Sequence, residues 1–383
     1  MSEPIFVPIR NTPRGYAWGT PGGISRALGT EPTAAPEAEL WLGAHPLSPS
    51  EVVDGPWRDL AGWQDESGQR LPYLLKLLAA DSALSLQAHP TPERARAGFA
   101  AEEAAGIAVT APDRNFKDPY AKPELIVAVD DGFEALCGFR HVGDARAEIV
   151  ALGSHAARPA SFQRWSAVLG EGGPGAAMAW LLSGSEDARD LVAQIPSVAE
   201  REPARFELLA RLAAQYPGDA GVAVALMLNH VTLRAGECLW LPAGNVHAYL
   251  RGLGVELMGP SDNVLRGGLT PKHVDVAALL DVLDVATGPA PYLPPQREGE
   301  TVQLYRPESV ASGEGVPFEL RRITGPATVV VSSPAILLVL GGRFDLTAEG
   351  ERHAVHRGDA LFVRTPTEIR FSGTGLVFLA SAG

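Results

Sequence analysis

The alternation of apolar and polar positions divides the chain into three stretches. Up to about Arg140, short apolar runs are broken by Gly, Pro and Asp, a pattern typical of strands joined by turns. The clearest runs lie at residues 5–7, 39–42, 84–87 and 125–129. Residues 71–80 are also apolar and fit a strand or a buried helix equally well. The first stretch therefore predicts a sandwich or barrel of β-strands.

The period of the pattern changes between about residues 145 and 220. Ala, Leu, Glu and Arg dominate there, and apolar residues such as Phe206, Leu209 and Leu212 recur three or four positions apart. This spacing is typical of amphipathic helices. A Gly-rich segment at 170–175 predicts a loop between two helices. We interpret residues 146–220 as a helical insertion.

The strand pattern returns after residue 221. Apolar runs occupy 222–228, 238–241 and 254–258, and a connector rich in Pro, Gly and Glu follows at about 288–300. Further runs lie at 329–331, 336–340, 344–346, 360–363 and 376–379. We therefore predict one barrel domain from residues 1–145 and 221–290, and a second from 291–383.

One motif indicates which kind of barrel this is. Gly236 is followed after five residues by Pro242, then by Gly244 and His247. A Gly turn, a short apolar strand and a Pro-x-Gly turn would present an inward histidine from a strand end, as cupin barrels do. We therefore predict a mainly β fold with two cupin-type jelly-roll barrels and a helical insertion domain.

The second barrel carries a degenerate copy of this motif. Residues 234–241 resemble residues 356–363, and continuing in register places Ile369 where His247 stands in the first copy. An isoleucine cannot bind a metal ion. We therefore expect the C-terminal cupin domain to serve structure or access.

The first barrel offers a set of metal donors. Gln87 and His89 are two positions apart, so on a strand they point to one face. With His247 they supply two imidazole nitrogens and an amide oxygen. A carboxylate is needed to offset the cation's charge, and spacing alone leaves Glu93 and Glu124 as candidates. Mixed N/O ligation suits Zn²⁺, Fe²⁺, Mn²⁺ or Ni²⁺.

A second cluster of polar residues follows His247 closely. Arg266 and Lys272 flank a Gly-Gly turn, where the backbone can approach a ligand. Arg presents a planar fork to a phosphate or an enediolate, and Lys presents a compact charge. The spacing predicts a site for an anionic small molecule.

Composition excludes several other classes. The chain has 383 residues and a net charge of −13, which argues against a nucleic-acid surface. Its two cysteines, Cys137 and Cys238, allow neither a disulfide framework nor a thiolate zinc site. We see no signal-peptide pattern and no apolar run long enough to span a membrane. We therefore expect a cytoplasmic protein, and we expect it to be a monomer.

At this point the motifs resemble those of the type I phosphomannose isomerase family. The matching segments follow in family order over most of the first 275 residues. They are Tyr16-Ala17-Trp18-Gly19, Glu39-Leu40-Trp41-Leu42-Gly43-Ala44-His45-Pro46, Leu84-Ser85-Leu86-Gln87-Ala88-His89-Pro90, Asn115-Phe116-Lys117-Asp118, Lys122-Pro123-Glu124-Leu125, Leu241-Pro242-Ala243-Gly244-Asn245-Val246-His247-Ala248-Tyr249, and residues 256–272.

The resemblance implies a fold, an activity and a site. The activity is zinc-dependent interconversion of mannose 6-phosphate and fructose 6-phosphate through a cis-enediol, within mannose metabolism. One Zn²⁺ per chain would be held by Gln87, His89, Glu124 and His247, which leaves Glu93 on the surface. Arg266 would be a catalytic cation, Ser85 and Lys272 phosphate-side contacts, and Lys122, Glu256, Tyr249 and Trp18 residues lining the sugar pocket. As general base we favour Glu256 narrowly over Lys122, because a lysine would first need a lowered pKa.

Two positions depart from the family pattern. Ala121 stands where the family often has a histidine just before Lys-Pro-Glu, and Pro92 stands where many members have a lysine. The first departure removes a proton-relay residue and the second a phosphate contact. Three alternatives therefore stay open: an isomerase of another, unphosphorylated sugar, a non-catalytic metal-binding cupin that senses sugars, and an Fe²⁺ dioxygenase. The Gln ligand and Arg266 argue against the dioxygenase.

Overall fold

A computed structural model describes residues 4–383. The strands are β1 (Phe6–Arg10), β2 (Thr20–Pro21), β3 (Pro36–Glu37), β4 (Glu39–Leu42), β5 (Glu51–Val52), β6 (Leu74–Ala80), β7 (Leu86–Ala88), β8 (Glu124–Ala128), β9 (Phe133–Phe139), β10 (Leu228–Leu233), β11 (Cys238–Leu241), β12 (His247–Met258), β13 (Leu265–Gly268), β14 (Gln296–Arg297), β15 (Val302–Tyr305), β16 (Glu319–Ile323), β17 (Ala327–Val331), β18 (Ala335–Ala348), β19 (Glu351–His356), β20 (Ala360–Val363) and β21 (Thr367–Ser381).

The helices are α1 (Gly23–Leu28), α2 (Leu60–Ser67), α3 (Pro92–Ala104), α4 (Val142–Gly153), α5 (Ala160–Leu182), α6 (Glu186–Ala199), α7 (Pro203–Gln215), α8 (Gly221–Leu226) and α9 (Val276–Val282). Two short 3₁₀ turns lie at Pro307–Ser309 and Ala311–Gly313. Within residues 4–383, no helix is both long and apolar enough to cross a bilayer.

Two large antiparallel sheets form the two barrels. The first has nine strands and is organised around β12, which pairs with β6, β7, β8 and β9. The second has ten strands in the main order β14-β15-β16-β21-β18-β20-β1-β5, with β17 and β19 attached. The predicted fold class, mainly β with two cupin-type barrels and a helical segment, is confirmed.

The N-terminal segment contributes to both sheets. Strand β1 pairs with β20 of the C-terminal barrel, with Phe6 opposite Val363, and β5 pairs with β1. The sequence division at residue 145 had placed both strands in the first barrel. A strand partner distant in sequence leaves no local signal, so the apolar pattern gave no indication of this pairing.

The helical stretch differs from the prediction at two points. Helix α5 runs through the Gly-rich segment with a kink at Gly173 (φ 72°) followed by Pro174, where we had predicted a loop. The strand predicted at 222–228 was wrong, because residues 221–226 form helix α8 and β10 begins at Leu228. All six residues of α8 are buried, so the run carries no alternation that distinguishes helix from strand.

The ambiguous apolar segment at 71–80 contains strand β6. All seven of its residues are buried, since one face lines the barrel interior and the other packs into the core. Strand β11 occupies residues 238–241, as the motif predicted. The buried Cys238 on this strand is free, as is the buried Cys137 on β9.

The internal repeat corresponds to equivalent turns in the two barrels. Gly236 precedes β11 with φ 85°, and Gly358 precedes β20 with φ 97°. Both turns use the left-handed backbone region that favours glycine. Ile369 on β21 is fully buried in the core of the second barrel, opposite Val329 on β17. The position equivalent to His247 is therefore part of an apolar core.

Candidate active site

Three side chains meet inside the first barrel. His89 follows β7, Glu124 opens β8 and His247 opens β12, and all three are almost completely buried. His89 Nε2 lies 3.3 Å from Glu124 Oε1, and His247 Nε2 lies 3.1 Å from Glu124 Oε2. Their candidate ligand atoms all lie within 4.8 Å of one another. Spacing alone had left the carboxylate open, and the geometry brings Glu124 to the histidines.

The backbone fixes how both imidazoles face the carboxylate. His89 Nδ1 lies 2.7 Å from the carbonyl oxygen of Asn263, and His247 Nδ1 lies 3.0 Å from that of Asn245. A carbonyl only accepts, so each Nδ1 carries a proton and each Nε2 faces the carboxylate. Such hydrogen bonds from Nδ1 are the usual support of metal-binding histidines.

The electrostatics of the cluster favour a cation between these groups. Burial lowers the pKa of His89 to about 4, although Glu124 opposes the shift, so the ring is neutral near pH 7. Burial alone would raise the pKa of Glu124, but the charge of Lys122 holds it well below its usual range. Within residues 4–383, His89 Nε2 and Glu124 Oε2 make no hydrogen bond. Two lone pairs and an unsatisfied carboxylate oxygen converge, which fits a divalent metal ion.

Gln87 lies beside this cluster and Glu93 lies outside it. Gln87 sits opposite His247 in the sheet, with its Nε2 3.4 Å from His247 Nε2. A half-turn of the amide group would present its oxygen to a metal instead. Glu93 is exposed in the first turn of α3, where it pairs with Arg96 at 3.0 Å.

A charged group that the sequence analysis missed lies on the same inner face. Lys76 Nζ is 3.2 Å from Glu256 Oε2 and 3.7 Å from Glu39 Oε1, and all three side chains are buried. Burial disfavours a charged lysine, but Glu39, Glu256 and Glu124 outweigh it and raise the pKa of Lys76. A lysine within the apolar run Leu74–Ala80 was the available signal, because buried lysines require partners.

Two of the predicted pocket residues contact the metal cluster directly. Lys122 Nζ lies 2.9 Å from Glu124 Oε1. The Tyr249 ring is centred 6.0 Å from the His247 ring, and its hydroxyl has no hydrogen-bond partner within residues 4–383. Burial raises the pKa of Glu256, which Lys76 opposes and Glu124 reinforces. The predicted Glu256 and Lys122 are therefore both already ion-paired, with Lys76 and Glu124 respectively.

A group of positively charged side chains lies beside the metal cluster. Arg266 on β13 is directly opposite Gln87 on β7. Burial lowers the pKa of Lys272, and the nearby charges of Arg266 and Lys117 lower it further. Lys117, for which the sequence predicted no role, is therefore a third cation in this region. Ser85 is half-buried just before β7, two residues ahead of Gln87.

Two aromatic or imidazole groups complete the surroundings. Trp18 is half-buried, packs against the core cluster that contains Tyr249, and stacks on Tyr16 with ring centroids 5.7 Å apart. His45, also without a predicted role, is buried with Nε2 3.5 Å from Asp262 Oδ2. Burial lowers the pKa of His45, although Asp262 opposes the shift.

The structure gives one of the two departures from the family pattern a local explanation. Pro92 is the first residue of α3, behind the N-cap Thr91, whose hydroxyl accepts from the Arg94 N–H. Proline is well suited to this position because its missing N–H has no partner there anyway. Ala121 is half-buried next to Lys122 and offers no ionisable group.

Comparisons with known proteins agree with this geometry. A family model described as the catalytic domain of type I phosphomannose isomerase matches residues 6–142. The mannose-6-phosphate isomerase of Escherichia coli K12 is 34% identical over 378 residues, covering 92% of this chain and 93% of the relative. That of Rattus norvegicus is 30% identical over 421 residues, covering 95% and 94%.

Solved structures give the same result. The Salmonella typhimurium enzyme described as bound to substrate (F6P) and zinc is 29% identical, with a TM-score of 0.88, and the match covers 99% of this chain and all of that one. A zinc-bound mannose 6-phosphate isomerase matches at 28% identity with the same TM-score. On sequence, fold and the buried His-Glu-His cluster together, the chain belongs to the type I phosphomannose isomerase family.

Proposed function

We propose that the protein is a zinc-dependent aldose–ketose isomerase that interconverts mannose 6-phosphate and fructose 6-phosphate. The observation that carries this proposal is the convergence of two imidazole nitrogens and a carboxylate, from His89, His247 and Glu124, with ligand atoms within 4.8 Å of one another. Arg266, opposite Gln87, adds a cation beside that cluster. The relatives that cover almost the whole chain carry the name of this activity.

The zinc ligands in this proposal are Gln87, His89, Glu124 and His247, one ion per chain. Two nitrogens, one carboxylate and one amide oxygen suit Zn²⁺ and leave room for an exchangeable ligand. When bound, zinc would polarise and orient the vicinal oxygens of the sugar. Because Glu124 is its only anionic ligand, the site would keep a net positive charge that suits an anionic substrate.

The isomerisation moves a proton between C2 and C1 of the open-chain sugar. We infer a cis-enediolate intermediate, in which negative charge develops on the oxygens of C1 and C2. Arg266 lies on β13 opposite Gln87, where its guanidinium can stabilise that charge. Lys122 adds a second positive charge beside the metal ligand Glu124, 2.9 Å from its Oε1.

We assign the C2 proton transfer to Glu256, with Lys122 as the alternative. Glu256 is held as a carboxylate by Lys76, while its burial raises its pKa and makes it a stronger base than a solvated glutamate. The test is Glu256→Gln, which removes the base with little change of shape. We expect kcat to fall at least about 100-fold, with zinc content unchanged. A kcat within a few-fold of the wild type would transfer the role to another residue.

The phosphate would lie on the side of Arg266, Lys272 and Ser85, with Lys117 as an added contact. The protein as a whole is acidic, with a net charge of −13, so attraction of a sugar phosphate depends on this local group of cations. Trp18 and Tyr249 would form apolar walls for the sugar carbons.

The deciding experiment measures fructose 6-phosphate formed from mannose 6-phosphate by the purified protein. It compares protein as isolated, after chelation, and after addition of Zn²⁺. We expect chelation to abolish turnover and zinc to restore it. Absence of turnover by zinc-replete protein would refute the proposal. Parallel assays with unphosphorylated mannose and with sugar binding alone would then separate a different isomerase from a sugar sensor.

A further inference from the structure

Asn263 occupies a central position between the metal cluster and the cationic side of the site. It is completely buried in the segment that links β12 to β13, three residues before Arg266. Its backbone carbonyl accepts the hydrogen bond from His89 Nδ1 at 2.7 Å. The residue therefore holds one of the candidate ligands directly, through an atom that any amino acid would supply.

The side chain of Asn263 makes a second set of contacts, with residues 115–122, which we call the strap. Its Oδ1 accepts from the backbone N–H groups of Lys117 (2.7 Å) and Asp118 (3.3 Å). Its Nδ2 donates to the carbonyl oxygens of Asp118 (2.7 Å) and Tyr120 (2.9 Å) and to Asp118 Oδ1 (3.3 Å). Both ends of the amide are thus fully used, which defines its orientation.

The strap also accepts hydrogen bonds from the segment that contains Asn263. Asp118 Oδ2 accepts from the backbone N–H of Asp262, and Asp118 Oδ1 accepts from the Ser261 hydroxyl. The Ser261 hydroxyl oxygen in turn accepts from the Asn263 backbone N–H. The strap carries Lys117 and Lys122 and ends just before the ligand Glu124. One closed network therefore joins His89, Glu124 and the cations around Arg266.

We propose that Asn263 is a positioning residue that couples the metal site to the substrate-binding strap. Its carbonyl orients the His89 ring, and its side chain holds the strap at the distance from which Glu124 can reach the same metal ion. Loss of the amide would free the strap and let the 261–266 segment shift, and both effects would displace ligands. This inference rests on the proposed function, since it assigns a role within that site.

The test is Asn263→Ala in the full chain, with the zinc dissociation constant as the first readout. Apo protein is titrated with zinc in competition with a chromophoric chelator, which requires no turnover. N263A keeps the carbonyl that accepts from His89 Nδ1, so it acts only by letting this carbonyl and the strap shift. Outright loss of an outer partner weakens metal binding about 10- to 100-fold, and we expect N263A to reach the lower end of that range, about 10-fold. At saturating zinc we also expect KM for mannose 6-phosphate to rise several-fold, because Lys117 and Lys122 lose their support.

Gln194→Ala is the matched control. Gln194 is a buried amide of the helical insertion that likewise joins two segments, accepting from the Arg158 N–H and donating to the Arg158 carbonyl and Asp190. Its loss should lower thermal stability without changing zinc affinity. Should N263A fail to fold, Asn263→Ser keeps a hydroxyl at the position and should give an intermediate zinc affinity.

A further variant tests the donor side of the Asn263 amide. Asn263→Asp puts a carboxylate oxygen where Nδ2 now donates to the carbonyl oxygens of Asp118 and Tyr120. Two acceptors then face each other, so N263D should weaken zinc binding at least as much as N263A.

The inference is overturned if N263A binds zinc as tightly as the wild type, or if Q194A weakens zinc binding equally. It is also overturned if N263D binds zinc more tightly than N263A. If the wild type is active and N263A binds zinc with unchanged affinity, this inference alone is refuted. If zinc-replete wild type is inactive, the proposed function is refuted.

Discussion

The buried lysine at position 76 gives the most direct test of the electrostatics inside the first barrel. Lys76 Nζ lies 3.2 Å from Glu256 and 3.7 Å from Glu39. At an effective dielectric constant near 20, each contact corresponds to about 5 kcal/mol of Coulomb attraction before desolvation is subtracted. Removing one partner of a buried ion pair costs about 3–5 kcal/mol, because the other charge stays buried without compensation. We therefore expect Lys76→Met to destabilise the protein by about 3–5 kcal/mol.

The assay is differential scanning calorimetry of metal-free protein, since bound zinc would add its own stabilisation. A loss of this size lowers Tm by roughly 5 °C or more in a protein this large. Lys272→Met removes an exposed lysine and should leave Tm within about 1 °C. The double variant K76M/E256Q removes one of the stranded carboxylates and should recover part of the loss. A K76M protein with the Tm of the wild type would refute the view that the lysine is held charged between two carboxylates.

Three further predictions concern other charged groups. Glu134 is buried, which by itself would raise its pKa, but His230 and Arg211 lower that pKa to about 2. The ionised carboxylate therefore stabilises the fold fully above about pH 4.5, and this stabilisation is lost as the pH falls towards 2. Between about pH 4.5 and 2, the Tm of Glu134→Gln should therefore fall less steeply with pH than the Tm of the wild type. At pH 7 the variant should be about 2–3 kcal/mol less stable than the wild type. Arg266→Lys should lower kcat/KM at least about 10-fold in steady-state assays with zinc affinity unchanged, because lysine lacks the planar fork; a fall in zinc affinity would contradict this. His247→Ala should retain less than one zinc per ten chains by metal analysis after dialysis, and full zinc content would remove His247 from the ligand set.

Much of the first barrel was predictable because its signals are local. The strand at 238–241 and the turn at Gly236 follow from a short motif whose backbone requirements are specific. Gln87 and His89 could be paired from the two-residue period of a strand. These features depend on neighbours in sequence, so a single chain displays them.

Other features depended on residues far apart in sequence. Residues alone could not decide between Glu124 and Glu93 as the carboxylate ligand. Glu124 reaches the site because β8 pairs with β12, and Glu93 faces outward because helix α3 begins at Pro92. The charged trio around Lys76 is assembled from three separate strands, β4, β6 and β12. The apolar run at 222–226 was misassigned because complete burial removes the periodicity on which the prediction relies.

The pairing of β1 with β20 has a consequence for folding during synthesis on the ribosome. Phe6 is opposite Val363, so strand β1 can pair with β20 only after residues 7–363 have been made. At roughly 5–20 residues per second, that strand waits about 20–70 seconds with its apolar residues uncovered. Until then only the short strand β5, at Glu51–Val52, can pair with β1, and the edge that later meets β20 stays open to another nascent chain. Completion of the second sheet therefore waits for β20, although its strand β1 is made long before.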